Sequence, residues 1–140
     1  MFFHFTLRLR EKVLKTMEIL KTISLYVMAA AYTVAGLNHF RDPGLYRKIM
    51  PSYIPAPDLM ILLSGIAEVI LGLGLISKVT RPYAAWGVIA LLIAIFPANF
   101  FMFQERDGIF SSLPTWVLIA RLPFQLLLMA WAYWYTKEIA

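Results

Sequence analysis

Four long apolar stretches, set apart by short polar or proline-rich ones, give this chain its pattern. The first runs from Thr22 to Leu37 and extends to about 19 residues if counted between Lys21 and Arg41. The second, Leu59–Ser77, has 19 residues and a single charge, Glu68, at its centre. The third, Pro82–Phe103, carries no charge over 22 residues, and the fourth, Thr115–Thr136, carries only Arg121. At about 1.5 Å per residue, helices of these lengths cross a hydrocarbon core of about 30 Å. The pattern therefore predicts an all-α membrane protein built as a four-transmembrane-helix bundle.

The stretches between the spans are informative too. The link Asn38–Asp58 holds prolines at 43, 51, 55 and 57, which break it into turns and extended pieces. Between Pro43 and Pro51, Leu45, Tyr46, Ile49 and Met50 fit one short amphipathic helix. A link this long and this apolar is expected to pack as a cap on the outer membrane face. Residues 1–21 mix apolar positions with Arg8, Arg10, Lys12, Lys15 and Lys21, which reads as a basic amphipathic segment on the membrane surface, and Met17 offers a shorter start. A cleaved signal peptide is the competing reading of the first span, with its basic flank, apolar run and alanines, and it would strip the bundle of a helix and leave His39 at a new terminus. The expected organisation is a basic segment at 1–21, a transmembrane domain at 22–136 with spans at about 22–37, 59–77, 82–103 and 115–136, and a cytoplasmic tail at 137–140.

Composition agrees. Hydrophobic residues make up 61% of the chain and charged ones 15%, with a mean hydropathy of +0.71, whereas a soluble domain has about 25% charged residues. The net charge of +5 does not point to nucleic acid, because the basic residues flank apolar runs and form no patch interleaved with aromatics. Lys and Arg number eight on the side that holds the termini and four on the other, so the positive-inside rule puts the termini in the cytoplasm and the proline-rich link outside. Without residues 1–16 the count becomes four against four, so this orientation rests on that segment. Trp131, Tyr133, Trp134 and Tyr135, opposite Tyr83 and Trp86, are expected to mark one interface and Trp116 the other. The chain has no cysteine, which excludes disulfide exchange, thiolate metal sites and iron–sulfur clusters within it. Its two histidines supply no pair for a haem, and a Glu68/His39 metal site would have only two protein ligands.

Chemistry is then confined to a few polar residues within the spans. An ionised side chain at midplane costs about 2.5 kcal/mol or more unless paired. Counting rise from the helix ends puts His39 at the outer end of its span, Asn99 about 7 Å down, Arg121 about 10 Å, Glu68 about 15 Å and Gln125 about 16 Å. All five fall in the outer half. They are the candidate ligand-binding residues, expected to line an outward-facing polar cleft with a Glu68–Arg121 pair at its floor. The plainer reading is interhelical adhesion, where such hydrogen bonds contribute about 0.6 kcal/mol each.

Four runs in order, AGLNHFRDPGLYRKIMPSYIPAP, SGIAEVILGLGL, TRPYAAWGVIALLIAIFPANF and RLPFQ, resemble the DoxX family, over about residues 22–135. These are small four-helix proteins of mainly bacterial cytoplasmic membranes, linked to thiosulfate:quinone oxidoreductase subunits and to membrane complexes for oxidative stress. A more distant resemblance to vitamin K epoxide reductase-like bundles carries no chemistry over, since their working cysteines are absent here. The expectation is a non-redox-active subunit or accessory protein of the inner membrane that binds a small amphipathic ligand such as a quinone. It would hold no cofactor of its own and would work with a membrane or redox protein partner, or with a second copy of itself. A structural assembly factor and a small proton-coupled carrier are the alternatives, and no catalytic residue is assigned.

Overall fold

The computed structural model describes residues 1–137, so the expected tail lies, beyond Lys137, outside the described residues. Five helices follow one another: α1 (Phe2–Arg41), α2 (Pro43–Ile49), α3 (Pro57–Gly74), α4 (Arg81–Gln104) and α5 (Thr115–Trp134). Of these, α1, α3, α4 and α5 are long and apolar enough to cross a membrane.

The N-terminal segment differs from expectation. No proline or glycine lies between Met1 and Gly36, so nothing breaks the helix at Lys21, and α1 runs unbroken for 40 residues, about 60 Å. The basic segment is thus the exposed first half of one continuous helix. Residues 1–20 are all exposed.

Proline chemistry sets the other ends. Asp42 precedes Pro43, which disfavours the helical region for it, and it takes φ −136° and ψ 72°. Its carboxylate then accepts from the Leu45 N–H at 3.3 Å, capping α2 as Pro43 fills its first turn. Ala56, held between two prolines, starts α3 from a left-handed conformation with φ 47°.

The long helices pack in the order α1 on α3, α3 on α4 and α4 on α5, and α2 lies against α1, α3 and α4. Glycines set the closest approach. A Cβ on Gly36 would stand 2.7 Å from the Gly65 carbonyl oxygen, and one on Gly72 would stand 2.9 Å from that of Ala29. The backbones of α1 and α3 therefore touch in a way that larger residues would forbid. Leu25, Met28, Leu75, Val88 and Ala132 form the core near the termini, and Met102, Phe110 and Leu118 close the α2 end.

Two polar residues have duties that charge and hydropathy did not suggest. Arg81 is buried and donates from Nε to the Leu75 carbonyl at 2.9 Å and from Nη2 to that of Ile76 at 3.1 Å, satisfying the end of α3. Tyr135, expected in an interface belt, is fully buried. Its hydroxyl donates to the Lys21 carbonyl at 3.1 Å and bonds Ser24, to which Trp131 Nε1 also donates at 2.9 Å. Tyr135 and Trp131 pin the end of α5 to α1, because a buried hydroxyl or indole N–H needs a partner. Tyr83, Trp86, Tyr133 and Trp134 stay exposed, as belt residues would.

Candidate functional site

Glu68 sits on the α3 face that meets α1. The glycine contact determines what it finds there. A Cβ on Gly65 would lie 2.7 Å from the His39 Cβ, so His39 is pressed against α3 one helical turn from Glu68. Its Nε2 is 3.0 Å from Glu68 Oε2, and the two side chains are 10% and 11% exposed.

The opposite ring nitrogen, Nδ1, lies 3.2 Å from the Ile61 carbonyl oxygen. A carbonyl only accepts, so Nδ1 carries a hydrogen. One proton at the contact between Nε2 and Oε2, on the imidazole or on the carboxyl, would make the pair neutral overall. The contact is close but not aligned as a hydrogen bond, and among the described residues Oε2 has no well-directed donor. Tyr46 of α2 stacks on the His39 ring at 3.7 Å between centroids, and its hydroxyl accepts from Asn38 Nδ2 at 2.9 Å. The Tyr32 hydroxyl, buried nearby and in electrostatic contact with Glu68, has no hydrogen-bond partner among the described residues.

Arg121 is not the partner of Glu68. Its Nε and Nη2 donate to Asn99 Oδ1 at 3.4 and 3.2 Å. Asn99 Nδ2 donates in turn to Gln125 Oε1 at 2.8 Å, and Gln125 Nε2 to the Leu92 carbonyl at 2.6 Å. The expected pairing fails because α5 packs on α4, so Arg121 meets the polar residue of α4 first. Among the described residues no carboxylate lies within ion-pair distance of Arg121.

A pocket of about 220 Å³ joins the two groups, and His39, Glu68, Asn99 and Arg121 all contribute to its wall, with Tyr46 and Ser64. Gln125 stands behind Asn99 and lines none of it. Four of the five expected residues are thus brought together, and the fifth braces one of them. Sequence reasoning missed Tyr46 and Tyr32. Tyr46 was visible as an apolar position of the short helix, but its stacking on His39 depends on how α2 folds back.

The chain belongs to the family described as a domain of unknown function (DUF8561), which matches residues 28–136. No curated protein and no solved structure matches it. The matched region holds α2 to α5 and the residues of the pocket, and begins within α1, beyond its exposed first half.

Proposed function

We propose that this DUF8561 member is a membrane-spanning subunit or accessory protein that holds the headgroup of a small amphipathic ligand of the quinone type. One observation carries the reading: a single pocket wall combines a close imidazole–carboxyl pair, His39 and Glu68, with a cation, Arg121, that has no carboxylate within ion-pair distance among the described residues. A carbonyl oxygen suits both. Arg121 and Asn99 would hydrogen-bond one such oxygen, and the His39–Glu68 pair would give a proton to, or take one from, another. A volume of about 220 Å³ is below the 300 Å³ at which drug-sized sites begin, so it suits a headgroup whose tail remains in lipid.

With no cysteine in the chain, a protein partner would supply any electrons. The charge count favours cytoplasmic termini, which puts α2 and the pocket towards the outer face of the cytoplasmic membrane, with α2 as its cap. The resemblance to the DoxX family accords with this reading.

The test is a titration of the purified protein with a short-chain quinone analogue. Arg121→Met and Glu68→Gln are each expected to weaken binding at least tenfold. Equal affinity across the three proteins, or no binding to any, removes the proposal.

A second reading, an assembly factor for a membrane complex, draws on the chain from Arg121 through Asn99 and Gln125 to the Leu92 carbonyl. That chain is satisfied within the protein and clamps α4 to α5. Under it, Arg121→Met would lower stability, while the folded fraction would still capture its partner.

A further inference from the structure

We infer that two copies of this chain associate in parallel through the uncovered face of α1. Read as heptads from Thr6, the a positions of α1 are Thr6, Val13, Leu20, Val27 and Val34. The d positions are Leu9, Thr16, Ile23, Ala30 and Leu37. None of the ten is charged, although the first half of the helix is otherwise rich in Lys, Arg and Glu. All ten are exposed, with Val13, Leu20 and Val34 at 57%, 58% and 65%. The face of α1 buried in its own bundle is a different one, carrying Leu25, Met28, Tyr32, Gly36 and His39. Helix α1 therefore has two apolar faces and a partner for only one.

Four features select a second copy as the occupant. First, the seam passes without a break from the free-standing half of α1 into the bundle, so its partner must itself be a helix that leaves the membrane at the same level. A second α1 inserted with the same topology meets this in register, and only in parallel. Second, four of the five a residues are β-branched, the choice that favours two-stranded parallel coils. Third, the flanks are compatible in that pairing. Arg10 would face Phe5 of the second copy and Lys12 would face its Met17, so between Thr6 and Leu37 no like charges oppose, and Glu11 and Glu18 lie on the far side. Fourth, within the bundle the seam is concave. A groove of about 760 Å³ there is lined by Ala30, Ala31, Val34, Ala35 and Leu37, with Asn38, Arg41 and Tyr46 at one end, and its small residues let a second helix approach closely.

Covering the ten positions would remove on the order of 800 Å² per partner, the size of a standard interface. The driving force lies in the aqueous half, where Leu9, Val13 and Leu20 leave water. In lipid, apolar burial drives nothing and the small residues contribute fit. A lipid surface as the alternative occupant would require α1 to bend near Lys21, and no proline or glycine is there to let it.

The inference is independent of the ligand reading and is tested without ligand. Because the chain has no cysteine, single cysteines report on one position each. Membranes bearing the full chain with Val13→Cys, Leu20→Cys or Val34→Cys should give disulfide-linked dimers under a mild thiol oxidant. The yield should be at least fivefold that of Glu11→Cys and Glu18→Cys. Equal yields at all five positions, or no dimer at any, overturn the inference. Light scattering in micelles supplies a second measure. The wild-type chain should have twice the protein mass of the double variant Val13→Glu/Leu20→Glu, with unchanged helical circular dichroism per residue. A monomeric wild type, or a double variant that stays dimeric, also overturns it, as does protection of residues 9–20 from aqueous quenchers only on anionic vesicles.

Discussion

Replacing His39 with leucine should cost more than replacing His39 and Glu68 together. The two side chains are 10% and 11% exposed and 3.0 Å apart, so the relevant scale is that of buried pairs and not the 0–1 kcal/mol typical of surface ones. His39→Leu strands a carboxyl among α1, α3 and α2 and should destabilise by about 3 kcal/mol. Glu68→Leu leaves an imidazole, which can stand neutral, and should cost about 1–2 kcal/mol. The double variant, with an apolar pair in place of a polar one, should lie within about 1 kcal/mol of wild type. The cycle thus predicts a coupling of about 3–5 kcal/mol, in which the loss of Tyr46 stacking on His39 cancels because both arms share it. Glu68→Leu combined with Arg121→Met serves as the control and should be additive within about 0.5 kcal/mol, since those side chains have different partners. Reversible unfolding in mixed micelles, followed by tryptophan fluorescence with circular dichroism as a check on fold, supplies the free energies. Additivity for His39 and Glu68, or a coupling larger for Arg121 and Glu68, would refute the pairing.

Two other contacts give sharp expectations. Gly65→Ala places a methyl 2.7 Å from the His39 Cβ, against helix-borne neighbours with little room to retreat, and should lower stability by about 1–3 kcal/mol in the same unfolding assay. It should also weaken quinone-analogue binding, because His39 is displaced from Glu68; unchanged stability would mean that α1 and α3 do not meet there. Arg81→Ala removes the buried guanidinium's donors to the Leu75 and Ile76 carbonyls at the α3–α4 turn and should cost about 1–3 kcal/mol. Arg81→Lys, which lacks the planar fork that reaches both carbonyls, should recover only part of that loss. Full recovery by lysine would reduce the role of Arg81 to its charge.

Hydropathy alone determined that four helices are long and apolar enough to cross a membrane, that a short helix sits in the proline-rich link, and which polar residues lie within the spans. These depend on composition and rise along each helix, which neighbours do not alter. Helix rotation and neighbour order depend on packing, and there the expectations diverged. Depth counted from flanking charges treated Arg41 and Asp58 as level. Contact through Gly36 and Gly65 instead sets His39 beside the middle of α3, so a histidine expected at the outer edge became the partner of Glu68. Arg121 was matched to Glu68 by depth alone, but α5 packs on α4 and Asn99 intervenes. Tyr135 looked like a belt residue because its type prefers interfaces, and only the approach of α5 to Ser24 and Lys21 showed it to be a buried clasp. The continuity of α1 was the exception. The absence of proline and glycine before Gly36 made it readable from the start, while the basic composition drew attention to a boundary that the backbone does not have. What tertiary structure alone decided is which polar groups meet: Glu68 with His39, and Arg121 with Asn99, on the wall of one pocket.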